Sequence, residues 1–276
     1  MAGFSWMFNF DKPGHGIDKD APQKRGFFLF FEIYFRKFWR VISLSLSYTL
    51  LSAPVFLIYF FLTTYLQGLF SLIKDPAFVT YMGIYLTLFL VSFLGAGPVS
   101  AGHAYVLRNF SREDHAWVWD DMCSQVKANF RQGLALFILD IVLLVILTAA
   151  ACLYLMHGSA MPLPPLVTTV FGFLAVIMLA VYFMMHFFLY PLMVTFDMKL
   201  GAILKTALQL TMGHLPQCVF MFLLSIGVFA LFLALYFLNV AFVILFAALG
   251  FSTVTFVYVF YGTSVIDRVL AKQNRK

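Results

Sequence analysis

The sequence predicts an all-α polytopic membrane protein with six transmembrane helices, and three observations predict it. The 276-residue chain is 63% hydrophobic and 11% charged, whereas soluble domains carry about 25% charged residues. Six continuous apolar runs are each long enough to cross a bilayer as a helix, and Asp140 is the one formally charged residue within them. Clusters of Lys and Arg fall at alternate ends of these runs. The runs do not alternate in polarity, which excludes a β-barrel.

The six predicted spans follow directly from the apolar runs. They are Val41–Leu66, Ala77–Ala96, Gly133–Met156, Pro164–Tyr190, Pro216–Phe237 and Asn239–Gly262. Of the 18 Lys and Arg residues, 17 lie on the side that holds both termini, and Lys74 lies on the other. Because cytoplasmic segments are enriched in Lys and Arg, both termini are predicted to be cytoplasmic. The net charge of +6 is interpreted as this bias plus attraction to anionic lipid, and nucleic-acid binding is not expected.

Amphipathic segments precede the outward-going spans and are predicted to lie along the cytoplasmic interface. Residues 24–40 place an aromatic arc opposite Glu32, Arg36 and Arg40. Residues 111–131 are predicted to form one helix, with Ser111 as its N-cap, and Leu200–Gly213 forms a third such segment. The predicted domain organisation is a cytoplasmic lead (1–23), the interfacial helix 24–40, a six-helix domain (41–262) that includes helix 111–131, and a cytoplasmic tail (263–276).

Each inward-going span is also predicted to end in a comparable break, at Gly97-Pro98, Tyr190-Pro191 and Tyr261-Gly262. Two interpretations remain open. In the first, the chain is built from three repeats of an interfacial helix plus a helical hairpin. Such repeats in membrane proteins often flank a central site. Alternatively, the hairpins are alike only because membrane hairpins share a general pattern.

Residues 97–133 carry a resemblance to a known family. The segment GPVSAGHAYVLRNFSREDHAWVWDDMCSQVKANFRQG resembles the signature region of the YesL-like bacterial integral membrane proteins. The segment from Phe8 to Trp39, which ends in RKFW, is similar to the version found in Firmicutes. That family has no established activity. The resemblance implies a multi-pass protein of the bacterial cytoplasmic membrane, associated with carbohydrate ABC importers or sugar-responsive sensors. The stretch 66–76 is longer here than in shorter relatives.

The most polar cluster outside the spans is a candidate surface for a partner or a small ligand. Its residues are Arg108, Asn109, Arg112, Glu113, His115, Trp117, Trp119 and Asp120. The alternative is a solvated helix start whose Trp rings sit at headgroup depth. A metal site that adds Asp121 and Cys123 to these acids and His115 fits no zinc spacing, so no metal is expected.

Asp140 lies about eight residues, or roughly 12 Å, inside the third span. A carboxylate at that depth is often functional and faces the bundle interior or a cavity. It could bind a cation or carry a proton, with His186 of the fourth span as a candidate partner. The alternative is a hydrogen-bonded structural strut, which is either protonated or paired with hydroxyls of Ser43, Ser45 or Ser47.

Catalytic motifs are not found. The chain has no Walker A sequence, no Gly-x-Ser-x-Gly elbow and no His-Glu-x-x-His helix, so no catalytic residue and no cofactor are expected. The predicted function is a non-enzymatic accessory membrane protein that docks a partner through helix 111–131. The alternative is a small-solute transporter or channel that uses Asp140, and a membrane-embedded enzyme has the least support.

Overall fold

The computed structural model describes residues 26–69, 86–156, 163–238 and 242–273, and every regular element in those ranges is a helix. The predicted lead 1–23 and the long stretch after Leu69 lie outside the described residues. The helices are α1 (Gly26–Arg36), α2 (Phe38–Leu69), α3 (Leu86–Phe93), α4 (Pro98–Ser111), α5 (Val118–Ala128), α6 (Phe130–Met156), α7 (Pro165–Met193), α8 (Leu200–Gly213), α9 (Leu215–Leu238), α10 (Phe242–Leu245) and α11 (Phe251–Gln273). A π-helical turn, Phe246–Gly250, joins α10 to α11.

Five of these helical segments are long and apolar enough to cross a membrane: α2, α6, α7, α9 and the segment Phe246–Ala271. The pair α3 and α4 meets the same test together, although the two helices are bent by 58°. The chain is therefore an all-α polytopic membrane protein with five helices able to span a membrane, or six if α3 and α4 together form one broken span. Among the five helical segments, the one that contains α11 is the most buried. The protein encloses 72% of its most apolar 18-residue window.

The break between α3 and α4 was predicted at Gly97-Pro98, and it lies there. Gly95 has φ 89° and Gly97 has φ 59°, conformations that residues with a Cβ rarely adopt. Pro98 is the first residue of α4, a position where its missing N–H is harmless. The sequence signal is strong because glycine and proline act directly on the backbone.

The break predicted at Tyr261-Gly262 is wrong. Helix α11 continues through Gly262 to Gln273. Gly262 instead permits a close helix crossing, because a Cβ there would lie 2.2 Å from the carbonyl oxygen of Phe187. Pro191 likewise lies inside α7, which ends at Met193.

The single helix predicted over 111–131 is also wrong. Ser111 is the last residue of α4 and not an N-cap, and a loop of residues 112–117 separates it from α5. Glu113 adopts φ 62° in this loop. One face of α5 packs on the bundle. Met122 is fully buried, and Gly102 of α4 is so close that a Cβ would lie 2.5 Å from the Met122 carbonyl oxygen.

Part of the aromatic arc of α1 packs on the bundle, and part of it is exposed. Phe30 and Tyr34 pack on Phe256 of α11, with ring centroids 5.2 and 6.4 Å apart. Ile33, one turn from Phe30, is fully buried. Phe35 is exposed and remains free to contact lipid. α1 is thus attached to the bundle along one side.

Three bends between helices share one backbone hydrogen-bond pattern. A single residue separates α1 from α2, α5 from α6, and α8 from α9. Its N–H donates to the carbonyl four residues earlier, and its carbonyl accepts from the N–H four residues later. The bend residues are Lys37, Asn129 and His214, with N···O distances between 2.8 and 3.1 Å. A short helix followed by a long apolar helix therefore occurs three times, while the three-repeat organisation of the chain stays a prediction.

Candidate functional site

Asp140 lies in the interior of the bundle and is fully buried. The hydroxyl of Tyr182 donates to Asp140 Oδ1 at 2.5 Å. Nε2 of His186 lies 3.1 Å from the same oxygen. The structure thus brings together Asp140 and His186, the two residues that the sequence singled out within the spans.

The adjacent helices α6 and α7 hold these side chains in place. Tyr182, His186 and Tyr190 are spaced four residues apart and therefore form one stripe on α7. His186 Nδ1 is 3.1 Å from the backbone carbonyl of Tyr182, one turn earlier. The imidazole is fixed at both nitrogens, so its orientation is set by the helix as well as by the acid.

The predicted serine partners of Asp140 are wrong. Ser43 and Ser47 donate to carbonyls of their own helix, Trp39 and Ser43. Ser45 donates at 2.9 Å to Ala247 in the π-helical turn. The hydrogen-bond partners of the carboxylate are instead Tyr182 and His186 of α7.

Two polar atoms beside this cluster have no hydrogen-bond partner among the described residues. They are Asp140 Oδ2 and the hydroxyl of Tyr59, both buried. Tyr59 of α2 interacts electrostatically with Asp140. Buried polar atoms normally have a hydrogen-bond partner, so two unpaired atoms beside a candidate functional site require an explanation.

A second buried polar group surrounds the break between α3 and α4. The end of a helix leaves carbonyls without intrahelical donors, and within a bilayer these must be paired inside the protein. Tyrosine hydroxyls from three different helices supply the donors. They are Tyr48 to Val91 at 3.2 Å, Tyr258 to Ser92 at 3.1 Å and Tyr190 to Leu94 at 2.9 Å. Ser100 Oγ also accepts the Ala96 N–H at 2.6 Å.

A further buried histidine lies next to this break. His103 Nε2 is 2.9 Å from Ser252 Oγ, and its ring stacks on Tyr48 with centroids 4.4 Å apart. A hydroxyl and an aromatic ring line His103, whereas a carboxylate lies beside His186. His103 is therefore a natural comparison for His186.

Four residues of the predicted surface cluster are used within the chain. Arg112 makes a two-pronged contact with Asp267 of α11, at 2.5 and 3.2 Å, and Glu113 pairs with Arg36 of α1 at 2.6 Å. Arg108 donates to the Val194 carbonyl at 2.7 Å, and it also contacts the side-chain oxygen of Asn109 at 3.2 Å. The contacts of Arg112 and Glu113 tie the loop 112–117 to α11 and α1. The contact of Arg108 ties α4 to the segment after α7.

Lys37 adds a further restraint on that loop. Its Nζ donates to the Asp114 carbonyl at 3.3 Å and lies 4.8 Å from the ring centroid of Phe110. Burial, and then the nearby charges of Arg36 and Arg40, lowers the pKa of the Lys37 ammonium below its usual value.

The other four residues of the cluster point outward. His115 and Asp120 are exposed, and the exposed fractions of Trp117 and Trp119 are 67% and 48%. Asp121 Oδ2 accepts the Trp117 backbone N–H at 2.8 Å, and the His115 ring contacts the Trp117 ring at 5.1 Å. The outer edge of the loop is thus aromatic, exposed and held in one conformation.

A groove of about 700 Å³ opens between the α5–α6 bend and the segment after α7. Lys127, Arg131 and Asp197 are among its lining residues. Gln132 bridges the same two parts of the chain by donating to the Met198 carbonyl at 3.0 Å. Across the described ranges, no group of three or more His, Cys, Asp or Glu side chains could hold a metal ion.

Sequence reasoning missed Tyr182, Tyr59 and the three tyrosines at the break. A signal existed for part of this set, since Tyr182 and Tyr190 lie four residues to either side of His186. The tyrosines of α2 and α11 carry no such signal, because their carbonyl partners are distant in sequence. Comparisons with protein-family models, curated proteins and solved structures find no match for the chain.

Proposed function

We propose that the chain is a non-enzymatic accessory protein of the membrane that docks a partner through the loop 112–117 and the start of α5. One observation carries this proposal: Trp117 in the loop and Trp119 in the first turn of α5 are both exposed. Contacts of Arg112, Glu113 and the Asp114 carbonyl with other parts of the chain hold the loop in place. Exposed aromatic side chains on a rigid support lose little conformational entropy on binding, and Trp is enriched among residues that dominate interface energies.

The enclosure of Asp140 also favours docking over transport. An open pathway would expose its midpoint acid to a water-filled cavity, whereas Asp140 is fully buried and two of its contacts come from α7. Aromatic rings fill the adjacent interior. Phe93, for example, contacts Phe183 and Phe222 at 6.3 and 5.7 Å.

The proposal also includes the biological process in which the protein takes part and its orientation in the membrane. The resemblance of residues 97–133 to the YesL-like family supports carbohydrate uptake or sensing as the process. The partner is then a subunit of a carbohydrate ABC importer or of a sugar-responsive sensor. The excess of Lys and Arg at the end that carries α1, α5 and α8 supports a cytoplasmic position for that end, in a bacterial cytoplasmic membrane.

Purification from the native host in mild detergent tests the proposal. The W117A/W119A double variant is compared with W39A, because Trp39 is 78% exposed at the start of α2 and provides a matched tryptophan elsewhere. Subunits of an importer or sensor are expected to co-purify in near-stoichiometric amounts with the wild type and with W39A. The double variant should lose at least about tenfold of that recovery. Equal recovery from both variants would contradict the proposal.

A second candidate, a small-solute transporter that uses Asp140, is favoured by the pairing of Asp140 with His186 inside the bundle and by the bend between α3 and α4. Broken helices line many transporter sites. Solute flux into liposomes by the pure protein, abolished by Asp140→Asn, would support this candidate against docking.

A further inference from the structure

The hydrogen bonds of His186 determine where its protons lie. A backbone carbonyl only accepts hydrogen bonds, and His186 Nδ1 is 3.1 Å from the Tyr182 carbonyl oxygen. Nδ1 therefore carries a hydrogen. This assignment follows from the geometry and needs no assumption about the state of Asp140.

The contact between His186 Nε2 and Asp140 Oδ1 then requires one additional proton. The two atoms are 3.1 Å apart, a hydrogen-bond distance. If the proton is on Nε2, the pair is an imidazolium and a carboxylate. If the proton is on Oδ1, the pair is a neutral imidazole and a carboxylic acid. Both forms have zero net charge, and both contain one proton more than a neutral histidine beside a carboxylate.

Burial favours retention of that proton. A lone carboxylate inside the bilayer is expensive, and an ion pair from which one partner's charge is removed leaves an uncompensated buried charge. Loss of the shared proton would produce that situation at Asp140, which is fully buried. The Tyr182 hydroxyl already donates to Oδ1 and does not supply a compensating charge.

Atoms without a partner give an independent indication that the cluster binds something more. Asp140 Oδ2 and the Tyr59 hydroxyl are buried and have no partner among the described residues. They are an acceptor and a donor, the two functions that a water molecule bringing a proton in or out would need. The tyrosines that interact electrostatically with Asp140 are Tyr59 of α2 and Tyr182 and Tyr190 of α7, and tyrosine in water ionises only near pH ~10.

We propose that Asp140 and His186 form a buried proton-binding site, in which one proton is held between Oδ1 and Nε2 and exchanges through the unpaired Asp140 Oδ2 and Tyr59 hydroxyl. The ligand is a proton from bulk water. The site does not depend on partner docking, so either proposal can fail without the other.

Proton linkage predicts how stability changes with pH. In the unfolded chain, Asp titrates near pH ~3.9 and His near pH ~6.5. Above about pH 6.5 the folded pair holds one proton that the unfolded chain lacks, so the folding equilibrium constant falls about tenfold per pH unit. Between those two values the proton counts are equal and the pair adds no dependence. Below about pH 4 the unfolded chain holds one more proton, and stability falls again.

Three variants separate this behaviour from a structural role. In Asp140→Asn, His186 stays neutral, so the loss above about pH 6.5 disappears and a loss below it appears. In His186→Gln, Asp140 must hold the proton alone, so the alkaline loss begins near pH ~4. His103→Gln removes another fully buried histidine, bonded to Ser252, and should keep the wild-type loss of stability above about pH 6.5.

The experiment measures thermal unfolding midpoints of the full chain in detergent, from about pH 4 to pH 9. Parallel profiles for the wild type and Asp140→Asn would overturn the proposal. Where a variant fails to fold, NMR of histidine nitrogens in the wild type provides a second test. The His186 signal is expected to show a protonated Nδ1, and this signal should not change above about pH 8. An unprotonated Nδ1 in the His186 signal would also overturn it.

Discussion

Gly262 of α11 packs directly on the backbone of Phe187 in α7. A Cβ at Gly262 would lie 2.2 Å from the Phe187 carbonyl oxygen. That carbonyl would normally accept the N–H of the residue four positions later, which is Pro191 and has no N–H. Proline therefore frees an oxygen, and glycine lets the neighbouring helix approach it.

Gly262→Ala should destabilise the protein, because the added methyl group meets backbone and not a flexible side chain. The expected loss is about 1–3 kcal/mol, as for overpacked cores. Gly227→Ala is the matched control, since nothing lies within 4 Å of a Cβ built there, and it should be neutral or stabilising by up to about 1 kcal/mol. Thermal unfolding in detergent gives both values. Similar midpoints for the two variants would argue against the close crossing.

Tyr258→Phe should also destabilise the fold, because it leaves the Ser92 carbonyl at the helix break without its donor. An unsatisfied buried acceptor costs about 1–3 kcal/mol. Tyr65→Phe is the control, because Tyr65 is exposed on α2 and its hydroxyl supports no break. If Tyr258→Phe unfolds at the wild-type temperature, the tyrosine does not stabilise the break between α3 and α4.

The Arg112–Asp267 ion pair should contribute modestly and measurably to the position of the loop 112–117. A double-mutant cycle with Arg112→Ala and Asp267→Ala isolates the coupling energy. Partly exposed pairs contribute about 0.2–1 kcal/mol, and the pair is 30% and 41% exposed. The Arg36–Glu113 pair, at 44% and 45%, should give a smaller value. No coupling in the first cycle would mean that the ion pair does not restrain the loop.

The sequence predicted the spans and the α3–α4 break because bilayer thickness and backbone chemistry act locally. It misjudged Gly262 and Ser111, since a glycine inside a helix and a serine at its end have the same local pattern as a break and an N-cap. Only packing against Phe187, or the course of the loop 112–117, distinguishes them. Asp140 and His186 were found individually through their polarity in apolar runs. Their shared contact, and the tyrosines around them, depend on helices that are distant in sequence.

Photo-crosslinking in native membranes tests the docking proposal most directly. A photoreactive residue replaces Trp117 in one variant and Trp39 in another. The account predicts that position 117 forms a specific adduct with a subunit of an importer or sensor, while position 39 labels lipid. Labelling of lipid alone from position 117 would contradict the account, because the exposed edge of the loop would then be a membrane anchor.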